Sequence, residues 1–299
     1  MNNVIVILGP TASGKSALGV QLAKKFGGVI LSADSRQVYR DMDIGTGKIT
    51  VKEMDGVPHF LLDVASPRSQ YSVARYVREA SRIIKKIPTT QPIFLVGGSP
   101  FYIDALTKPN SFSPVPPNAA LRRRLVELSS TTLLQRLEKL DPRRASTIDI
   151  HNRRRLIRAI EIASYSSPPR GGGVAHRAGV VESPPMRILK IGIQINQKTL
   201  YKNIDHRVDG RMKHGMTQEV ARLHAEGLSW KKLEAFGLEY RFLSQYLQDQ
   251  LSKQEAIEQL KHAIHHFAKR QMTWWKRDQE IHWITKKIQA EKIIRPFLT

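Results

Sequence analysis

The chain contains no cysteine, which excludes disulfides and thiolate metal sites and fits a reducing compartment. It also lacks any apolar run near the ~18 residues needed to span a bilayer. Its opening, "MNNVIVILGP", has neither the basic segment nor the long apolar stretch of a secretory leader. Acidic residues are scarce: 26 Asp+Glu stand against 48 Lys+Arg, a formal net charge of +22. Such an excess points to a polyanionic partner, because clustered cations release counterions when they bind phosphates. The bland alternative is a solvated basic surface. The distribution favours nucleic acid, since between Arg122 and Arg158 there are 11 Lys/Arg and four Asp/Glu, against 18 and 12 from Tyr201 to Thr299. At 299 residues and 41% hydrophobic content, the chain can bury a substantial core in one large domain or two.

What is present begins with "ILGPTASGKSALG", in which Gly9, Gly14, Lys15 and Ser16 complete the pattern G-x-x-x-x-G-K-[ST]. An apolar strand pattern over 4–8 precedes the loop and a helical pattern over 17–26 follows it. In that context successive backbone N–H groups and a helix N-terminus face an anion. Lys15 adds a point charge, and the Ser16 hydroxyl can ligate Mg²⁺. The loop specifies a pyrophosphate or triphosphate group without specifying the reaction.

Strand and helix patterns alternate through the first hundred residues: "VIVIL", "VILSAD" (29–34), a short "HFLLDV", the helical "YSVARYVREASRIIKKI" and "PIFLVGGS" (92–99). The alternation predicts an α/β fold, a P-loop core with a parallel sheet flanked by helices, and ligands beyond the carboxyl ends of the strands. The loop, Asp34 and Ser99 therefore converge on one crevice. After the Pro/Ser/Asn-rich "TKPNSFSPVPPNAA", three helical patterns follow with no strand among them: "LRRRLVEL", "TLLQRLEKL" and "NRRRLIRAIEIASY". A Gly/Pro/Ser-rich loop over 166–185 precedes a returning strand, "RILKIGIQI". The predicted organisation is core over 1–110, an all-helical insertion domain over 111–186, and core again over 187–299, with a mostly helical tail.

Asp34 closes a strand beside the phosphate loop. It is a candidate to bind Mg²⁺ through water or to accept a proton from a nucleophile, the alternative being a turn cap with Ser35. A P-loop NTPase also carries an acid at the end of a Walker-B strand. Here that strand ends in Gly97, Gly98 and Ser99, and Asp63 lies in a weaker strand, which weakens the ATPase reading and leaves room for an anion that is a leaving group rather than a phosphoryl donor. Arg154, Arg155 and Arg158 lie near one helix face, and with Arg122, Arg123 and Arg124 they suit phosphodiester oxygens, the alternative being an exposed helix with unpaired cations. "AKRQMTWWKRD" interleaves cations with Trp274 and Trp275, which could stack bases, although at least one tryptophan reads as core. His262, His265 and His266 lack carboxylates at ligand spacing and predict no metal site.

These ordered motifs, "GPTASGKS", "SADSRQVYRDMDIGTGK", "VPHFLLD", "YSVARY", "VGGSPFY", "NRRRLIRAIE" and "KRQMTW", resemble the bacterial tRNA dimethylallyltransferases, or tRNA isopentenyltransferases, over nearly the whole chain. That family transfers a dimethylallyl group from dimethylallyl diphosphate to the N6 amine of the adenine next to the tRNA anticodon. The resemblance implies a diphosphate held with Mg²⁺ by Gly9, Thr11, Ala12, Ser13, Gly14, Lys15, Ser16 and Arg207. It implies Asp34 as general base and Ser99 beside the reaction centre, with Asp34, Ser35, Arg36, Gln37 and Ser99 on the extruded base. Arg122, Arg154, Arg155 and Arg158 would lie on phosphates of the anticodon stem. A cytoplasmic monomer is implied. The family carries Thr-Gly where this chain has Ser99 and Pro100, and a Gly-Tyr pair where it has "FGLEYR", which leaves the contacts of Gly237 and Tyr240 open. Against this stand a P-loop kinase with an arginine-rich helical lid and a nucleic-acid-binding module with a regulatory P-loop.

Overall fold

A computed structural model describes residues 1–108, 113, 115–166 and 184–299. The chain forms two compact units, one of Met1–Pro109 with Ser183–Thr299 and one of Asn110–Glu182.

The first unit is built on a six-stranded sheet of order β3-β2-β4-β1-β5-β6, parallel at every pairing. Its strands are β1 (Asn2–Leu8), β2 (Val29–Ser32), β3 (His59–Phe60), β4 (Ile93–Gly97), β5 (Met186–Ile193) and β6 (Ile281–Ile284). Central strands covered on both faces need a continuous apolar run rather than an alternating one. "VIVIL" supplies it, and Val4, Ile5, Val6, Ile7 and Leu8 are all fully buried. Helix Lys15–Phe26 leaves β1 through the phosphate loop and stops at Gly27, whose φ of 65° closes the last turn by an N–H bond to the Ala23 carbonyl. The helix predicted over "YSVARYVREASRIIKKI" runs over Val73–Lys86, capped by Ser72 and buried along Tyr76, Val77, Ala80 and Ile84.

The structure departs from the sequence patterns in three places. "HFLLDV" yields only the two residues of β3, because Leu61 and Asp63 turn into the left-handed region with φ of 66° and 56°. β6, in the otherwise helical tail, adds an edge strand through Lys190↔Ile281 to Ile193↔Ile284. Helix Pro100–Thr107, with proline in its first turn, follows β4 directly.

The second unit contains helices Ala119–Val126, Ser130–Leu140, Pro142–Ala145 and Arg153–Ser166, and no strand among its described residues. Leu125, Leu133, Leu137, Leu156 and Ile160 form its core. The Gly/Pro-rich stretch predicted as a loop lies largely outside the described residues. No helix among the described residues is long and apolar enough to cross a membrane.

Candidate active site

The phosphate loop sits at the carboxyl end of β1, where the chain turns from strand to helix within six residues. Ala12 and Gly14 take left-handed conformations, φ 60° and 83°, which bend successive peptide N–H groups inward. At Gly9 a Cβ would lie 2.9 Å from Ser13 Oγ and 3.3 Å from Ile193 Cβ, so only glycine allows this approach. Lys15 Nζ reaches back to the Pro10 carbonyl at 3.3 Å. Arg207, from helix Gln197–Lys213, donates to the Thr11 hydroxyl. Two polar atoms here are buried without a hydrogen-bond partner, Ser13 Oγ and Arg207 Nε. Unpaired buried groups of this kind are costly and rare, and both are suited to an anion in the loop.

The cations are crowded. Burial, followed by the charge of Arg207, lowers the Lys15 ammonium to about 8, although Asp34 opposes the shift. Burial and then Arg211 bring Arg207 down to about 10. Burial is the larger cause of both shifts, and the crowding of the cations adds to it.

The second wall comes from β2 and β4. A Cβ on Gly97 would stand 2.2 Å from the Ala33 carbonyl oxygen, so the end of β4 lies directly against the residue before Asp34. The Ser99 N–H donates to that carbonyl at 3.2 Å, and Ser99 Oγ accepts the Ser35 N–H at 3.0 Å. Asp34 and Ser99 are thereby held side by side. Asp34 Oδ1 accepts the Arg36 N–H at 2.9 Å, so the turn-cap role is real. It occupies one oxygen, and Oδ2 accepts no hydrogen bond among the described residues. Gln37 sends its amide to the Gly47 carbonyl at 3.0 Å. Asp63 is engaged by Lys48, together with Asp43.

Three contributors to the site were not singled out by the sequence patterns. Gln271, from helix Lys253–Trp275, accepts the Thr11 N–H at 2.8 Å and donates to the Gly98 carbonyl at 2.6 Å, tying the two walls together. Only its position in "KRQMTW" signalled it. Glu219 is buried and accepts the N–H groups of Asp43, Ile44 and Gly45 at 2.7, 2.8 and 2.9 Å, plus the Tyr240 hydroxyl at 2.8 Å. This fixes the loop of "DIGTGK" and gives Tyr240 a defined place against Gly45. Arg211, one turn beyond Arg207, donates to the Gly45 carbonyl. A cavity of about 750 Å³ opens beside these groups, lined by Ser16, Val20, Ile44, Ile49, Arg207 and Arg211 among others.

In the helical unit, Arg122 forms a two-pronged pair with the buried Glu161 at 2.8 and 2.7 Å, and Arg158 reaches the same carboxylate at 3.4 Å. Arg154 and Arg155 are exposed. Of the tryptophan pair, Trp275 is buried and Trp274 is partly exposed, donating to Asp104 at 2.9 Å. No group of three or more His, Cys, Asp or Glu suited to a metal gathers among the described residues.

A parallel α/β core with an anion loop, a carboxylate opposite it and Gly-Gly-Ser in the Walker-B place defines a class of enzyme that binds a phosphorylated substrate without the usual hydrolytic acid. The family described as IPPT, IPP transferase, matches residues 37–278. The chain is 42% identical over 287 residues to tRNA dimethylallyltransferase 1 of Geotalea daltonii, covering 94% of this chain and 90% of that protein. It is 39% identical to tRNA dimethylallyltransferase of Carboxydothermus hydrogenoformans, covering 99% and 96%. Among solved structures it is similar to the tRNA isopentenylpyrophosphate transferase of Bacillus halodurans, with a TM-score of 0.73, 31% identity and coverage of 100% and 97%. A eukaryotic dimethylallyltransferase acting on tRNA shares the fold at a TM-score of 0.79 and 23% identity, covering 98% and 78%. The chain belongs to the IPP transferase family and is a prenyltransferase.

Proposed function

We propose that the protein transfers a dimethylallyl group from dimethylallyl diphosphate to the exocyclic N6 amine of the adenine adjacent 3′ to a tRNA anticodon. The observation that carries this reading is the juxtaposition of Asp34 and Ser99 with the phosphate loop, locked by Gln271 between Thr11 and Gly98. The diphosphate lies on the loop N–H groups, Lys15 and Arg207, and satisfies Ser13 Oγ and Arg207 Nε. The bond from C1 of the allyl group to its bridging oxygen breaks, the N6–C1 bond forms, and diphosphate leaves. Negative charge grows on that diphosphate, where prearranged donors act most effectively.

Asp34 Oδ2 takes the proton from N6 as alkylation makes the amine acidic, so an ordinary carboxylate within reach suffices. Ser35, Arg36, Gln37 and Ser99 hold the adenine, which must leave its stack to bring N6 to a buried carbon. A divalent cation, read as Mg²⁺, would be held by the Ser16 hydroxyl and the phosphate oxygens of the donor, and would neutralise charge on the leaving group. The helical unit carries the anticodon stem, with Arg122, Arg154, Arg155 and Arg158 toward its phosphates. The enzyme acts as a monomer in the cytoplasm, where its RNA substrate resides.

The test incubates protein, Mg²⁺, dimethylallyl diphosphate and unmodified tRNA, and weighs the digested nucleosides. An adenosine heavier by one dimethylallyl group, absent with Asp34→Asn although tRNA still binds, is the expected result. Lack of product from the wild type, or phosphoryl transfer from ATP instead, would overturn the reading in favour of a kinase.

A further inference from the structure

The cavity beside Ser16 is lined by three acids, Asp43, Glu53 and Asp55, and three cations, Lys48, Arg207 and Arg211. Its acids are engaged: Asp43 by Lys48, Asp55 by Lys24 at 2.7 Å, and Glu53 by the Thr50 N–H at 2.8 Å. Lys48 is in turn neutralised by Asp43 and Asp63. This leaves Arg207 and Arg211, four residues apart on helix Gln197–Lys213, a spacing at which like charges repel.

Arg211 is held loosely for a guanidinium. It donates to the Gly45 carbonyl at 3.2 Å and to Glu239 Oε1 at 3.4 Å, whereas charge-assisted bonds are typically about 2.7–2.9 Å. Its passage is nevertheless built into the fold. A Cβ on Gly47 would lie 1.5 Å from Arg211 Nη2, and Gly47 has φ +60°, so the loop carries glycine where the arginine crosses it. The charge of Arg211 also helps to lower both Lys15 and Arg207. Cations so placed oppose one another until an anion joins them.

We propose that Arg211 is a second guanidinium of the diphosphate site, which exchanges Glu239 for the outer phosphate of the allylic donor. The assignment rests on the phosphate loop being a diphosphate site. Arg207 then spans the loop at Thr11, and Arg211 lines the cavity, so the donor is clamped at two points one helical turn apart.

Calorimetric titration with inorganic pyrophosphate at fixed ionic strength tests this on the whole protein. Arg211→Met keeps the stem and drops the charge, and it is expected to weaken binding at least tenfold. Arg211→Lys, with charge but no fork, falls between it and the wild type. Glu239→Gln leaves Arg211 in place and approaches the inference from the other side: it should tighten pyrophosphate binding severalfold. Wild-type binding that Arg211→Met leaves unchanged, or that Glu239→Gln leaves unchanged or weakens, overturns the role of Arg211 alone. Absence of pyrophosphate binding by wild-type protein that still binds tRNA overturns the diphosphate reading, and this inference with it.

Discussion

Lys15 shows how one side chain can be tuned by its neighbours. Burial and the adjacent Arg207 favour its neutral form, and its ammonium titrates at about 8 before a ligand arrives. Diphosphate restores the charge, so binding takes up a proton as pH rises through that value. The KM for the allylic diphosphate is therefore expected to be flat below about pH 7 and to climb above about pH 8, in a profile that Lys15→Arg shifts to higher pH. Glu219 behaves differently, because its carboxylate serves the fold. Glu219→Ala leaves three backbone donors and the Tyr240 hydroxyl without their acceptor, at about 1–3 kcal/mol for each buried donor that stays unsatisfied. Urea unfolding should show a loss of at least about 2 kcal/mol, with Tyr240→Phe costing about 1 kcal/mol.

At the scale of elements, the sharpest prediction concerns the helical unit. Burial alone would raise the Glu161 carboxyl, yet the Arg122 fork and the Asn118 N–H hold it below its usual value of 4.5. A carboxyl lowered on folding stabilises above its unfolded pKa, and that stability is lost as pH falls through the lowered value. The unit should therefore loosen in acid, followed as lower amide-exchange protection, relative to the unfolded chain at the same pH, in helix Ala119–Val126. Glu161→Ala, which leaves Arg122 without its partner, should produce the same loosening at neutral pH. Much of this architecture was legible in advance. β1, β2 and β4 each carry an unbroken apolar run, β5 keeps Ile188, Leu189, Ile191 and Ile193 around Arg187 and Lys190, and the helices of the insertion follow their leucine spacing. β6 was not legible, because four residues with His282 exposed between buried Ile281 and half-buried Trp283 carry no pattern apart from the strand they join. In the site, the loop and Asp34 announced themselves through local spacing. Glu219, Arg211 and Gln271 did not, because their importance lies in backbone groups far away in sequence, which no local pattern encodes.

Across the whole molecule, a net charge of +22 makes RNA binding depend on salt. Each phosphate contact removed should flatten the slope of log affinity against log salt by about 0.7–0.9. Arg154→Ala with Arg155→Ala, both exposed, should flatten that slope and leave the melting temperature unchanged. Arg122→Ala should also lower the melting temperature, since it strips Glu161 of its main partner. Gln271 carries a different lesson. It joins Thr11 to Gly98 across 260 and 173 residues of chain, and β5, beside β1, is made only after the insertion. On the ribosome, the phosphate loop is thus synthesised long before the residue that seats it. A nascent chain that has emerged only as far as the insertion holds the loop sequence but not the bridge that orders it. Catalytic competence consequently waits until the helix that carries Gln271 has been made.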